Sequence, residues 1–238
     1  MKSIFSFLLL TTFCLLPFVA FSSTFTCDNP IFLPTSTDDD NGFPLLELPE
    51  VLDSNGEPLR VGEEYRILSA TSEARRGAVG LAKIGNAKCP NVVVLHAGDI
   101  QLGLPVKFYT RHPGPPPLNV IRETNQINVM FSTPNTQRCD NGNFWMVGKP
   151  DETAQGLRFV VTSRVPEVPD GVFQIEKFTK ASPFYKIRHC PDRSLSTCPK
   201  CPCSDVGLTS QSGHSRLALT DQPFSFIFKK VQKSCTDA

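Results

Sequence analysis

The sequence predicts an all-β fold, and three observations support this prediction. Short runs rich in β-branched and aromatic residues recur from residue 51 onward. Turn residues separate these runs, as in Asn55-Gly56, Asp140-Asn141-Gly142, Pro169-Asp170-Gly171 and Ser212-Gly213. No stretch of ten or more residues keeps a helical period, and the 21 prolines oppose long helices. This texture is typical of one closed β-barrel or one β-sandwich, and the pattern alone does not choose between them.

Ten runs have the composition of strands, and alternation of apolar and polar residues is clearest in Val172–Phe178 and Ile127–Phe131. The ten runs are Tyr65–Leu68, Val92–Leu95, Val106–Tyr109, Ile127–Phe131, Phe144–Val147, Leu157–Thr162, Val172–Phe178, Tyr185–Ile187, Arg216–Leu219 and Phe224–Phe228. Composition shows no boundary after residue 50, so we expect a single folded domain over residues 45–235.

The N-terminal residues predict entry into the secretory pathway. Lys2 precedes a broken apolar run that ends at the small residues Ser22 and Ser23. This order is typical of a cleaved signal peptide, which we place at residues 1–23. A membrane anchor is the alternative, and Pro17 and the small-residue exit argue against it. The polar, acidic leader at 24–44 is expected to lack a fold of its own.

Secretion decides how the nine cysteines are interpreted. Cys14 lies in the signal peptide, and in an oxidising compartment the other eight are expected to pair as disulfides. Four of them crowd into the segment 190–203. In a cytosolic protein that cluster would suggest zinc, but with only His189 beside it two local disulfides are favoured. The eight are Cys27, Cys89, Cys139, Cys190, Cys198, Cys201, Cys203 and Cys235.

The sequence gives no support for catalysis or for a cofactor. The formal net charge is +1, which offers no electrostatic argument for nucleic acid or a membrane surface. No P-loop, dinucleotide fingerprint or metal-binding triad occurs. The four histidines, His96, His112, His189 and His214, show no pairing with a nucleophile. We therefore expect neither an enzyme nor a bound metal, and we expect a monomer.

Residues 51–67, V-L-D-S-N-G-E-P-L-R-V-G-E-E-Y-R-I, resemble the N-terminal signature of the plant Kunitz soybean-trypsin-inhibitor family. In physical terms Asp53 and Asn55-Gly56 predict a tight turn, after which Leu59, Tyr65 and Ile67 face the core. The signature positions that match are Val51, Asp53, Asn55, Gly56, Leu59, Tyr65 and Ile67.

The resemblance continues in order to residue 231. It implies a β-trefoil of twelve strands, in which six form a barrel and six cap it as three hairpins. It also implies the disulfides Cys89–Cys139, Cys190–Cys203 and Cys198–Cys201, the last being typical of solanaceous members. Segments that carry it include Gly85–Pro90, Phe144–Val147, Tyr185–Pro191, Cys203–Gly207, Arg216–Leu219 and Phe224–Phe228, while Pro58–Arg60 and Val120–Glu123 are similar to miraculin-type members.

The leader carries Asn29-Pro30-Ile31-Phe32-Leu33-Pro34, which resembles a vacuolar sorting signal of plant propeptides. A chance proline-rich linker is the alternative. The resemblance implies delivery to the vacuole or to the extracellular space. If the leader is removed, Cys27 leaves and Cys235 is left without that partner. If the leader is kept, the two cysteines could pair.

In the resembling family an exposed loop after the fourth strand is offered to a target protease. Counting forward from Gly103 makes Thr110, Arg111, His112 and Pro113 this reactive segment, with Arg111 at the primary position. Counting backward from Ile127 instead gives Pro117-Leu118, and an ordinary solvated arginine is a third interpretation of Arg111. Val61 stands where the family has an asparagine that supports the loop.

The resemblance implies inhibition of a protease, and the arginine favours trypsin-like serine endopeptidases in plant defence. Inhibition of cysteine or aspartic proteases through other loops is an alternative. A storage, stress or carbohydrate-binding trefoil without a protease target is a further one.

Overall fold

The computed structural model describes residues 48–70, 77–87, 89–98, 101, 103–111, 119–132, 142–166, 169–191 and 202–232. These residues form twelve β-strands and one short 3-10 turn, Glu152–Ala154. The strands are β1 (Glu64–Ser69), β2 (Ala78–Ala82), β3 (Val92–His96), β4 (Pro105–Thr110), β5 (Ile127–Phe131), β6 (Phe144–Asp151), β7 (Leu157–Ser163), β8 (Phe173–Lys177), β9 (Tyr185–His189), β10 (Ser204–Gln211), β11 (His214–Thr220) and β12 (Phe226–Lys230).

Six of the strands close into a barrel. Antiparallel pairing runs from β1 to β4, β5, β8, β9 and β12, and β12 pairs with β1 again. Since side chains alternate across a strand, every second residue points into the barrel. Ile67, Phe108, Phe131, Ile187 and Phe228 are inward residues of this kind, and none of them has any exposed surface.

The other six strands form three hairpins that cap one end of the barrel. These hairpins are β2–β3, β6–β7 and β10–β11. They meet one another through the pairs β3–β7, β7–β11 and β11–β3. The chain therefore repeats one unit three times, with a barrel strand, a hairpin and another barrel strand in each. This is a β-trefoil, which confirms the fold class and settles the choice between barrel and sandwich.

The ten predicted runs all overlap strands, whereas β2 and β10 were missed. Four of the five residues of β2 are buried, so the strand lacks the alternation that pattern reasoning requires. β10 is polar and contains Gly207, where a Cβ atom would collide with Gln222 O and Thr220 Oγ1. A glycine is needed there because the chain passes directly over the strand.

Cys190 and Cys203 form a disulfide that joins the end of β9 to the start of β10. Cys89 is also disulfide-bonded, and its expected partner Cys139 lies outside the described residues. So do the expected pair Cys198–Cys201, the signal peptide and the sorting motif that includes Asn29, Pro30, Ile31, Leu33 and Pro34. None of the helical segments described is long and apolar enough to cross a membrane.

Candidate functional site

The candidate loop leaves the barrel at the end of β4. Thr110 is the last residue of that strand and lies opposite Ile127 of β5. Arg111 follows, and its amide donates to the carbonyl of Gln126 at 3.0 Å. His112 and Pro113 lie outside the described residues, as does the alternative position Pro117-Leu118. The first arm of the loop is thus fixed to the neighbouring strand up to Arg111.

The side chain of Arg111 is half-buried, and its Nε atom is shielded from solvent. A side chain that enters a protease pocket must be free to leave its own protein's surface. The Arg111 side chain can enter a pocket only if it moves away from the residues that now shield it. In this structure it does not extend into solvent as an anchor would.

The second arm of the loop, Asn119–Glu123, pairs with the segment 48–62, which we call the N-terminal strap. Val61 donates its amide to the carbonyl of Asn119 at 2.7 Å. Ile121 donates to Leu59 at 2.7 Å and accepts from Val51 at 2.9 Å. Since Ile121, Leu59 and Val51 have no exposed surface, the arm is held by both hydrogen bonds and burial.

Two tyrosine hydroxyls attach the strap to the barrel. The amide of Arg60 donates to Tyr65 Oη at 2.9 Å, and the amide of Leu52 donates to Tyr185 Oη at 2.9 Å. Tyr65 Oη in turn donates to a carboxylate oxygen of Glu63 at 3.3 Å. Burial raises the pKa of Tyr65 to about 12, so its hydroxyl keeps the proton that this arrangement needs.

The strap reverses direction at the turn that the sequence predicted. Asp53 Oδ1 accepts from the amides of Asn55 at 2.7 Å and Glu57 at 3.1 Å. Gly56 has a φ of +84°, a conformation that favours glycine. Beyond the turn, Leu59 and Tyr65 are buried, as expected.

The base of the second arm has contacts that the sequence did not reveal. The Arg122 guanidinium donates to the carbonyl of Leu48 at 2.8 Å and lies 3.6 Å from the Glu50 carboxylate. The Arg122 amide donates to Asn125 Oδ1 at 2.8 Å. Thr124 adopts a positive φ of 62° and donates its amide to Ile175 of β8 at 3.0 Å. An asparagine three residues after Arg122 was the one local signal for this turn.

Val61 lies beside the loop, as the alignment with the family's supporting asparagine suggested. Its side chain is partly buried against the hydrophobic core. Val61 has no polar side-chain atom, so it supports the loop through its backbone amide and through apolar packing.

The described residues hold no group of three His, Cys, Asp or Glu side chains that could bind a metal ion. His189, the histidine beside the cysteine cluster, is buried against Phe173, with ring centroids 5.7 Å apart. Its Nε2 atom is shielded from solvent. We therefore interpret His189 as a residue of the hydrophobic core.

Comparisons with known proteins agree with this architecture. The profile of the legume Kunitz family, described as trypsin and protease inhibitor, matches residues 51–230. Cysteine protease inhibitor 1 of Solanum tuberosum is 35% identical, over 95% of this chain and 97% of the relative. Aspartic protease inhibitor 8 of the same plant is 32% identical, over 94% and 98%.

Solved structures show the same likeness. A Kunitz-type cysteine protease inhibitor from potato is 37% identical, with a TM-score of 0.65 over 79% of this chain and all of that one. Soybean trypsin inhibitor is 25% identical, with a TM-score of 0.62 over 76% and 99%. The chain therefore belongs to the Kunitz family of trypsin and protease inhibitors, in which solanaceous inhibitors are its relatives, and it is an inhibitor and not an enzyme.

Proposed function

We propose that the chain inhibits trypsin-like serine endopeptidases by offering Thr110–Pro113 as a substrate-like segment with Arg111 as its anchor. The main support is the attachment of the loop at both arms, to β5 on one side and to the strap on the other. Since both arms are ordered before binding, little conformational entropy is lost in the complex. Arginine suits the acidic pocket floor of trypsin-like enzymes.

The test compares Arg111→Ala with Arg111→Lys in trypsin inhibition assays. Loss of a buried basic anchor is expected to raise the inhibition constant about thirtyfold or more, and lysine should retain most of the inhibition. Lys149→Ala, at an exposed position on β6, serves as the control. Equal inhibition constants for the wild type and Arg111→Ala would remove Arg111 from the proposal.

A cysteine protease is the second candidate target. The half-buried Arg111 side chain favours it, as do the relatives named cysteine protease inhibitors at 35% and 37% identity. The same assay with a papain-like and a cathepsin-D-like enzyme separates the candidates. Inhibition of the papain-like enzyme by both the wild type and Arg111→Ala, with no inhibition of trypsin, would replace the first proposal with this one.

A further inference from the structure

We propose that Leu48–Glu50, at the start of the strap, clamp the second arm of the candidate loop through Arg122, so that inhibition requires a mature chain that retains these residues. Arg122 is then a positioning residue, because it acts through the arm that it holds. This inference rests on the proposed function, in which the loop after β4 is the inhibitory segment. It adds the residues that fix the far arm of that loop and a condition on N-terminal processing.

Three backbone segments meet at the second arm and join in a closed ring of hydrogen bonds. The Val51 amide donates to Ile121 O at 2.9 Å, the Ile121 amide to Leu59 O at 2.7 Å, and the Leu59 amide to Val51 O at 2.8 Å. None of the three side chains has any exposed surface. Each segment therefore depends on the other two, and a shift in the strap is transmitted to the arm.

The arm also pairs with the residues that precede this ring in the chain. The Glu123 amide donates to Pro49 O at 2.8 Å, and Glu50 forms an isolated β-bridge with Arg122. Arg122 Nη1 donates to Leu48 O at 2.8 Å, while Arg122 Nη2 lies 3.6 Å from Glu50 Oε1. The start of the strap thus offers the arm two backbone acceptors and one carboxylate, and we call these contacts the N-terminal clamp.

The hydrogen bond to Leu48 is expected to contribute more to the clamp than the ion pair. The side chains of Glu50 and Arg122 are 38% and 20% exposed, and an ion pair with this access to solvent contributes little. The contact with Leu48 O is a charge-assisted hydrogen bond at normal length. It ties down a segment near the start of the folded chain, where backbone that has no such attachment frays.

The turn that follows Arg122 is fixed by separate contacts. The Arg122 amide donates to Asn125 Oδ1 at 2.8 Å, and the Asn125 amide donates back to Arg122 O at 3.2 Å. The Thr124 amide donates to Ile175 O of β8 at 3.0 Å. Loss of the clamp should therefore loosen the arm itself, residues 119–123, and leave this turn and β8 in place.

Arg122 differs from Val61, which contacts the other end of the arm. The Val61 amide donates to Asn119 O at 2.7 Å, but its side chain has no polar atom. Arg122 instead contributes both its amide and its guanidinium to the support of the arm. A substitution of the Arg122 side chain can therefore remove the clamp while the backbone pairing at Val61 remains.

The clamp sets a condition on N-terminal processing. A cut after Glu50 would remove Leu48 O, Pro49 O and the Glu50 carboxylate in one step. An arm that is no longer fixed loses more conformational entropy when the loop binds, so the inhibition constant rises. The mature chain of the active protein should therefore begin at or before Leu48.

The first experiment compares the full chain with its Arg122→Ala and Arg122→Lys variants in trypsin inhibition assays. Alanine removes the donor to Leu48 and should raise the inhibition constant about tenfold. Lysine keeps one charged donor and should stay within about threefold of the wild type. Hydrogen–deuterium exchange of the amides at 119–123 should be about tenfold faster in the alanine variant.

Arg158→Ala is the matched control. Arg158 Nε also donates to a backbone carbonyl, Gly148 O at 3.0 Å, and its Nη2 pairs with a carboxylate, Asp170 Oδ1 at 2.7 Å. These partners lie on β6 and before β8, and not on the second arm. The control should lower the melting temperature while leaving the inhibition constant and the exchange at 119–123 unchanged.

The second experiment locates the first residue of the mature protein. Mass spectrometry of inhibitory material purified from plant cells that express the full chain should give a mature chain that begins at or before Leu48. Inhibitory material that begins after Leu48 would overturn the inference.

The outcomes separate the clamp from the proposed function. An unchanged inhibition constant in Arg122→Ala, with a wild type that inhibits trypsin, would overturn the clamp and leave the proposed function intact. Equal increases of the inhibition constant in Arg122→Ala and Arg158→Ala would indicate a general loss of stability and would also overturn it. If the wild type does not inhibit trypsin, the proposed function fails and exchange decides the clamp, which stands if Arg122→Ala exchanges faster at 119–123 and falls if it does not.

Discussion

His189 shows how burial determines the charge of a single residue. Its side chain is 2% exposed at the end of β9. Burial lowers the pKa of its imidazole to about 4; the nearby Arg158 adds to this shift, while Asp170 and a hydrogen bond to the Pro169 backbone oppose it. The ring is therefore neutral in the folded protein at neutral pH.

A pH dependence follows from this shift. Between pH 6.5 and about 4 the unfolded chain binds a proton that the native ring refuses, so the free energy of unfolding should fall by about 3 kcal/mol across this window. Denaturant titrations at several pH values measure it. His189→Gln should remove this part of the slope and His214→Gln should retain it. An identical slope in His189→Gln would show that other groups cause the loss.

At the scale of elements, the N-terminal strap connects the candidate loop to the barrel. One of its two tyrosine contacts joins Leu52 and Tyr185, which are 133 positions apart in sequence, and the other joins Arg60 and Tyr65, which are 5 apart. Removal of either hydroxyl should therefore change both the free energy of unfolding and the position of the loop.

Tyr65→Phe and Tyr185→Phe each remove the acceptor of a backbone amide and should lower the free energy of unfolding by about 1 kcal/mol. The double variant should also weaken protease inhibition, because the arm Asn119–Glu123 depends on the strap for its position. Tyr109→Phe removes a hydroxyl outside the strap and is the control. Unchanged inhibition in the double variant would show that the loop does not need a fixed strap.

At the scale of the whole molecule, the disulfide acts mainly on the unfolded chain. Cys190 and Cys203 are 13 residues apart, and closing such a loop contributes about 3 kcal/mol in the chain-entropy description. Replacing both with alanine should lower the free energy of unfolding by that amount. Trp145, the only tryptophan, reports unfolding by fluorescence because it is fully buried between Phe131 and Phe173. Unchanged stability would mean that the unfolded chain is already compact there.

The features that could be predicted from the sequence are those that depend on residues close together in the chain. Alternation identified most strands, and Asp53 with Gly56 identified the turn of the strap. Sequence patterns did not identify β2, because this strand is buried on both faces. They also did not identify the hydrogen bond between Leu52 and Tyr185, because it depends on closure of the barrel. The sequence placed Arg111 in the segment that follows the strand Val106–Tyr109, and its role as an anchor stays a prediction. Its half-buried state was not predicted, because it depends on residues that fold against it.

The closed ring of six strands has a consequence for a protein that inhibits proteases. Proteases cleave segments that can bind to the active-site cleft in an extended conformation. Cleavage of a segment that is paired within a sheet requires local unfolding of that sheet. Each barrel strand already pairs with a neighbour on both sides. Cleavage of the barrel strands is thereby disfavoured, and an attacking enzyme meets the loops between the strands first.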